Sequence, residues 1–171
     1  MAEANEKLRK PSAGNADSQS RPDDFILYLD ENLCNCAPVL TALQENNIPH
    51  ERHLAHFGSG TPDHEWLPFV GRNGWVLLTR DQNIRYRGIE HSRVMRYGVR
   101  EFVFKAGNLH KDELAKVLII ALPKMREICQ KFDPPFIASI TELGVVNIRF
   151  DEAGPLHGRF PPQSPKRDVE S

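Results

Sequence analysis

The chain has 171 residues and a mass of 19.5 kDa, enough for one domain with a hydrophobic core. Its 40% hydrophobic and 26% charged residues are typical of globular proteins, and a net charge of −1 excludes a basic field over the whole molecule. No apolar run approaches the roughly 20 residues of a membrane-spanning helix. The N-terminus is unlike a secretory signal and three cysteines do not make a disulfide framework, so we expect a cytoplasmic protein with no membrane partner.

The two ends of the chain differ in composition from its middle. Residues 1–24 are polar and poor in large apolar side chains, which predicts a disordered arm. Residues 151–171 are rich in proline and glycine, which predicts a disordered tail or a draped loop. We therefore expect one folded domain at residues 25–150.

The first part of this domain alternates apolar runs with an amphipathic segment. Residues 25–29 form a short apolar run that predicts a strand buried on both faces, ending at Asp30. Residues 37–45 carry apolar side chains on one helical stripe and predict a helix. Residues 50–54 are more polar and predict a strand near the edge of the sheet.

The next segments repeat the alternation. Residues 63–72 predict a helix, with Thr61 as its N-cap. The apolar run at residues 75–78 predicts a second buried strand. Residues 84–97 are mixed and basic, and they predict a loop followed by a short helix.

The last part of the domain adds three strands and a long helix. Residues 99–105 predict a third core strand, and residues 110–131 a helix that could divide at Pro123. Residues 136–140 and 145–150 predict an antiparallel hairpin. Strands that alternate with helices indicate an α/β fold with a mostly parallel sheet and this C-terminal hairpin at one edge.

Acidic residues follow the predicted strands and open one predicted helix. Asp30 and Glu31 close the first strand, Asp63 begins the helix, and Asp81 follows the strand at residues 75–78. Sites in open α/β sheets lie outside the carboxyl ends of the strands, so we expect these groups to converge. Crowded carboxylates need a cation between them, and oxygen ligands suit Mg²⁺ or Mn²⁺. Such an ion can activate water for phosphodiester hydrolysis.

Three stretches that contain these acids carry a family resemblance. They are Leu-Tyr-Leu-Asp30-Glu31-Asn, Pro-Asp63-His-Glu-Trp and Val-Leu-Leu-Thr79-Arg80-Asp81-Gln-Asn. In order and spacing they resemble the PIN-like nucleases, most of all the small group related to VapC-type toxins, over residues 25–105. The resemblance implies a three-layer α/β/α fold. It also implies a Mg²⁺- or Mn²⁺-dependent endoribonuclease that leaves a 5′-phosphate on RNA, as the toxin of a toxin–antitoxin pair whose antitoxin is a separate chain.

The resemblance assigns roles to individual residues. By position, Asp30, Asp63 and Asp81 are the metal ligands and catalytic acids, with Thr79 orienting Asp81. Glu31 would join them only if the strand ends before it, because successive side chains in a strand point to opposite faces. The sequence leaves the oligomeric state open, and a homodimer is one of the options.

A basic stretch beside the acidic residues makes RNA contact plausible. Between residues 80 and 105 arginines and tyrosines outnumber acids, although the whole chain is close to neutral. Phosphate contacts need cationic side chains, and a tyrosine can stack on an unpaired base. The RNA-binding candidates are Arg80, Arg85, Lys105 and Tyr86.

Two other functions remain open on the sequence. The PIN-like families carry a further glutamate after the first strand, and neither Glu45 nor Glu51 is well placed to serve as it, which favours a non-catalytic module that binds RNA or protein. A receiver-like signalling domain would also use acids after the first strand, with Thr79 and Lys105 at later strand ends. It would need an acceptor aspartate at the end of a buried strand, and no apolar run precedes Asp63.

Overall fold

The computed structural model describes residues 25–80, 93–105, 109–151 and 154–155. The strands are β1 (Leu27–Leu29), β2 (His50–Arg52), β3 (Val76–Thr79), β4 (Arg100–Phe104), β5 (Phe136–Ile140), β6 (Val146–Asp151) and β7 (Gly154–Pro155). The helices with defined bounds are α1 (Ala37–Glu45), α2 (His53–His56), α3 (Asp63–Asn73) and α4 (Lys111–Lys131). Residues 93–96 add a further helical turn.

The strands form one sheet in the order β2-β1-β3-β4-β5-β6-β7. Neighbours from β2 to β5 are parallel, and β5, β6 and β7 pair antiparallel. The mostly parallel sheet and its C-terminal hairpin are confirmed. The polar strand β2 lies at an edge, as its composition predicts.

Helices cover the sheet from both sides, which confirms the three-layer arrangement. Leu27, Leu29 and Phe102 pack in a core cluster with α1 and α4. Tyr28 and Val103 belong to a second cluster with α3. Alternate side chains of one strand therefore reach opposite layers, as the pleat of a strand requires.

Two local predictions around α2 and α3 are wrong. The strand predicted for residues 50–54 ends at Arg52, because His53 begins α2 and its ring is buried against Tyr28. Thr61 is not the N-cap of α3. Pro62 takes that position, while the Thr61 hydroxyl donates to the carbonyl of Gly58 at 2.7 Å.

The long helix α4 does not divide at Pro123. Leu122 and Met125, on either side of the proline, are both buried in the cluster that α4 shares with α1 and the sheet. Packing of this continuous apolar stripe stabilises the helix more than one missing backbone hydrogen bond weakens it.

The predicted ends of the domain fall partly outside the described residues. The arm at residues 1–24 lies outside them, as does the tail from residue 156 onward. Strand β7 lies beyond the predicted domain end at residue 150 and adds to the edge of the sheet. None of the helices in the described parts of the chain is both long enough and apolar enough to span a bilayer.

Candidate active site

A cleft of about 200 Å³ opens beside the ends of β1 and β3, where the acidic residues were expected to meet. The first turn of α3 forms one of its walls. The lining residues are Asp30, Glu31, Asn32, His53, Thr61, Asp63, Trp66, Leu67, Leu77, Thr79, Val94 and Glu101.

Among the predicted acids that the structure describes, Asp30 is the most buried, with 7% of its surface exposed. Its Oδ1 accepts hydrogen bonds from the backbone N–H groups of Asn32 and Leu33, both at 3.1 Å. Its Oδ2 accepts one from the Thr79 hydroxyl. Burial raises the pKa of Asp30 to about 6 and outweighs these hydrogen bonds, which lower it. Burial thus disfavours the ionised form of Asp30, and perturbed pKa values of this kind are common at functional sites.

Glu31 lines the same cleft because β1 ends at Leu29. The chain has left the strand and turns at residue 31, so the side chains of Asp30 and Glu31 do not alternate between the two faces of the sheet. The Glu31 carboxylate accepts hydrogen bonds from the Ser59 hydroxyl and, at 3.1 Å, from the backbone N–H of Gly60. These bonds lower the pKa of Glu31 and keep it charged.

Asp63 lies in the first turn of α3 and lines the cleft with Asp30. Its carboxylate forms an ion pair of 3.6 Å with the guanidinium of Arg93, and both side chains are about one-third exposed. This position contradicts the receiver-like alternative, which needs an aspartate at the end of a strand. Asp63 begins a helix instead, where the helix dipole favours its negative charge.

Thr79 ends β3, and its hydroxyl donates to Asp30. The resemblance assigns Thr79 the orientation of Asp81, which lies outside the described residues, as do Arg85 and Tyr86. Within the described part of the chain, the residue that Thr79 orients is therefore Asp30.

Glu101 also lines the cleft and is not among the site residues predicted from the sequence. It lies in the central strand β4 with 5% of its surface exposed. A glutamate directly before the apolar residues of a core strand is the signal that could have found it, because burial of an acid is costly.

The two described cations among the predicted RNA contacts have different surroundings. The Arg80 guanidinium donates to the carbonyl of Leu109 at 2.8 Å, so it also ties the segment before α4 to the end of β3. Lys105 follows β4, is exposed, and lines a second cavity rather than the acidic cleft.

The donor set of the cleft suits a hard cation. Its acids offer carboxylate oxygens, while Cys34 and Cys36 are buried in the core on the α1 side. Nδ1 of His53 lies 2.8 Å from the Tyr28 hydroxyl, and burial lowers the pKa of His53. Among the described residues, no three acidic, histidine or cysteine side chains are grouped closely enough to hold a metal. The described ligand set is thus compatible with Mg²⁺ or Mn²⁺ but partial.

Comparisons with known proteins agree with this geometry. Residues 26–106 match the family model of the PIN-like domain. The chain is 25% identical over 97 residues, 54% of its own length and 70% of the relative's, to VapC45 of Mycobacterium tuberculosis, to which ribonuclease activity is assigned by name. No solved structure matches the chain. The family match contains the acids of the cleft, which supports a PIN-like domain at residues 26–106 that is similar to VapC45.

Proposed function

We propose that this protein is a metal-dependent endoribonuclease. The observation that carries the proposal is that the adjacent residues Asp30 and Glu31 and the distant Asp63 line one cleft of a PIN-like domain. Similarity to a protein named as a ribonuclease favours RNA as the substrate.

We assign the metal ligands to Asp30 and Asp63, completed by Asp81 from outside the described residues. At these carboxylates a bound divalent cation would act as a Lewis acid, which would lower the pKa of water and offset charge on the scissile phosphate. Asp30 is held in one orientation by three hydrogen bonds, which prepares its carboxylate for the cation. Glu31, kept charged by Ser59 and Gly60, is placed to orient a water in the cleft.

RNA approach to an acidic cleft requires cations around it, because phosphates are repelled by carboxylates. Arg80 and Lys105 supply such charges near the ends of β3 and β4. Arg85 and Tyr86, which lie outside the described residues, stay RNA-binding candidates on the sequence alone. The expected products carry a 5′-phosphate and a 3′-hydroxyl.

The toxin of a toxin–antitoxin pair is the biological role that this activity favours. The supporting observation is similarity to a VapC protein. The antitoxin would be a separate chain in the same cytoplasm that places a basic side chain against the acids of the cleft. Co-expression with the protein encoded beside this chain tests the pairing. That protein should suppress RNA cleavage, and it should bind the wild-type chain more tightly than the Asp63→Asn variant.

The decisive experiment measures cleavage of a labelled RNA by purified protein in Mn²⁺, Mg²⁺ or EDTA. We expect cleavage only with a divalent ion, and loss of at least about 100-fold in Asp30→Asn and Asp63→Asn. Glu45→Gln is the matched control, because it also neutralises one acid but lies exposed at the end of α1, outside the cleft.

Calorimetric titration with Mn²⁺ and thermal unfolding accompany each variant. Weaker Mn²⁺ binding with an intact fold in Asp30→Asn supports the metal assignment. RNA binding without cleavage in any divalent ion would contradict the ribonuclease proposal and favour a non-catalytic binding module. The observation that favours this alternative is the partial metal site among the described residues.

A further inference from the structure

A second cavity of about 270 Å³ lies on the sheet beyond the acidic cleft. It is formed where the end of β4 meets the hairpin of β5 and β6. Its lining is entirely polar or charged: Lys105, Ser139, Thr141, Glu142, Asn147 and Arg149.

Strand register places this cavity in line with the acidic cleft. Thr79, which bonds to Asp30, pairs with Val103, and Val103 pairs with Ser139. Ser139 in turn pairs with Asn147 across the hairpin. Asp30 and Ser139 therefore lie at one level of the sheet, three strand spacings or about 14 Å apart.

The cavity is on the same face of the sheet as the cleft. Ala138 and Ile148 belong to the core cluster under α4, so their neighbours Ser139 and Asn147 face the opposite side. Lys105 keeps the alternation of β4, since its backbone N–H bonds to the carbonyl of Ile140 at 3.0 Å. The cleft and the cavity thus open on one side of the sheet, on either side of the buried Val103.

Hydrogen-bond donors converge on this cavity. Ser139 is 5% exposed and lines the cavity, so its hydroxyl can donate a hydrogen bond into it. The Thr141 oxygen accepts the backbone N–H groups of Leu143 and Val145 at 3.2 and 3.1 Å. Its own proton is then available, so the serine and the threonine can both donate to an acceptor in the cavity.

The charges of the lining point to an anionic acceptor. Lys105 and Arg149 are exposed, and neither forms an ion pair with an acid of the described residues. Glu142 is the one acid of the lining, which leaves a net charge of +1. Ammonium, guanidinium, hydroxyl and amide donors together are the groups that hold a phosphate.

We propose that this cavity binds a phosphodiester of the RNA strand, held by Lys105, Arg149 and the hydroxyls of Ser139 and Thr141, about 14 Å from the acidic cleft. This inference rests on the proposed ribonuclease function and assigns a substrate subsite to it. The subsite fixes the strand beside the cleft and does not contact the scissile phosphate.

Fluorescence anisotropy of a labelled single-stranded RNA in EDTA tests the subsite without cleavage. Lys105→Gln combined with Arg149→Gln should weaken binding about 10-fold and reduce the salt slope by about 0.7 for one lost phosphate. Glu142→Gln should tighten binding, because it removes the opposing charge. Lys116→Gln, which removes an exposed cation on α4 at the opposite face, is the matched control.

The double variant should lose as much affinity for a DNA strand of the same sequence as for the RNA, because the donors of the cavity recognise phosphate. Unchanged RNA binding in the double variant, or a loss confined to RNA, would overturn the subsite. The Mn²⁺ cleavage assay separates the two proposals. If the double variant binds and cleaves RNA like wild type, only the subsite is refuted. If wild type binds RNA through the cavity but never cleaves it, only the nuclease is refuted.

Discussion

Thr79 donates its hydroxyl proton to Oδ2 of Asp30, although 49 positions separate the two residues in sequence. The bond joins the end of β3 to the end of β1, and it is buried. Because β1 and β3 are parallel neighbours, their carboxyl ends lie side by side, and the hydrogen bond fixes how the acid enters the cleft. Thr79 is therefore a positioning residue for Asp30.

Replacement of Thr79 by valine should reduce Mn²⁺-dependent cleavage about 10- to 100-fold, because a lost outer hydrogen bond loosens the ligand. The bond also lowers the pKa of Asp30, so its loss should shift the acidic limb of the pH–rate profile to higher pH. Thr79→Ser keeps the hydroxyl and should restore both properties. A valine variant with reduced activity but an unmoved pH profile would contradict a role exerted through Asp30.

Stability without metal should depend on pH through Asp30. Its folded pKa of about 6 is raised, so the fold favours the protonated form. This contribution is fully present below about pH 4 and is lost as the pH rises through about 6. The free energy of unfolding of wild type relative to Asp30→Asn should thus fall by about 2 kcal/mol between pH 4 and pH 7.

Urea unfolding in EDTA at several pH values measures this difference. Mn²⁺ should stabilise wild type at pH 7 and leave Asp30→Asn nearly unchanged, because an ion that binds the native state shifts unfolding by mass action. A wild-type curve parallel to that of Asp30→Asn would mean that Asp30 titrates as an ordinary carboxyl.

Glu101 should influence metal binding, because its carboxyl lines the cleft beside Asp30. Glu101→Gln preserves its shape, so we expect a fold close to wild type and a several-fold higher Mn²⁺ concentration for half-maximal cleavage. Titration of activity with Mn²⁺ measures the effect, with Glu45→Gln as the surface control. An unchanged Mn²⁺ dependence would assign Glu101 to the fold alone.

Close packing of α3 at Gly71 should make the position of Asp63 sensitive to a single methyl group. A Cβ at Gly71 would lie 2.0 Å from the carbonyl oxygen of Tyr97, which is too close without backbone movement. Gly71→Ala should lower the free energy of unfolding by about 2–3 kcal/mol and reduce cleavage. Gly58→Ala, which has open space around it, should do neither, and equal stability of the two variants would contradict this contact.

Much of the architecture could be predicted from apolar patterning. The stripe at residues 110–131 predicts α4, and the apolar runs ending at Asp30 and Thr79 predict β1 and β3. Helix α2 could not be predicted in this way. Its first residue, His53, is buried against Tyr28 of β1, and apolar patterning along the chain does not reveal that contact. Pro123 is the opposite case, since packing retains a helix that local propensity would divide.

The sequence by itself determined the order of strands and helices, the acids at their ends and the family to which these motifs point. Those features are local, since they depend on periodicity and on neighbours along the chain. Only the tertiary structure decided that Asp30 and Asp63 share a cleft, that Thr79 orients Asp30, and that Glu101 joins them. The physical reason is that strand pairing and the packing of α3 bring together residues whose separation along the chain carries no information about their distance in space.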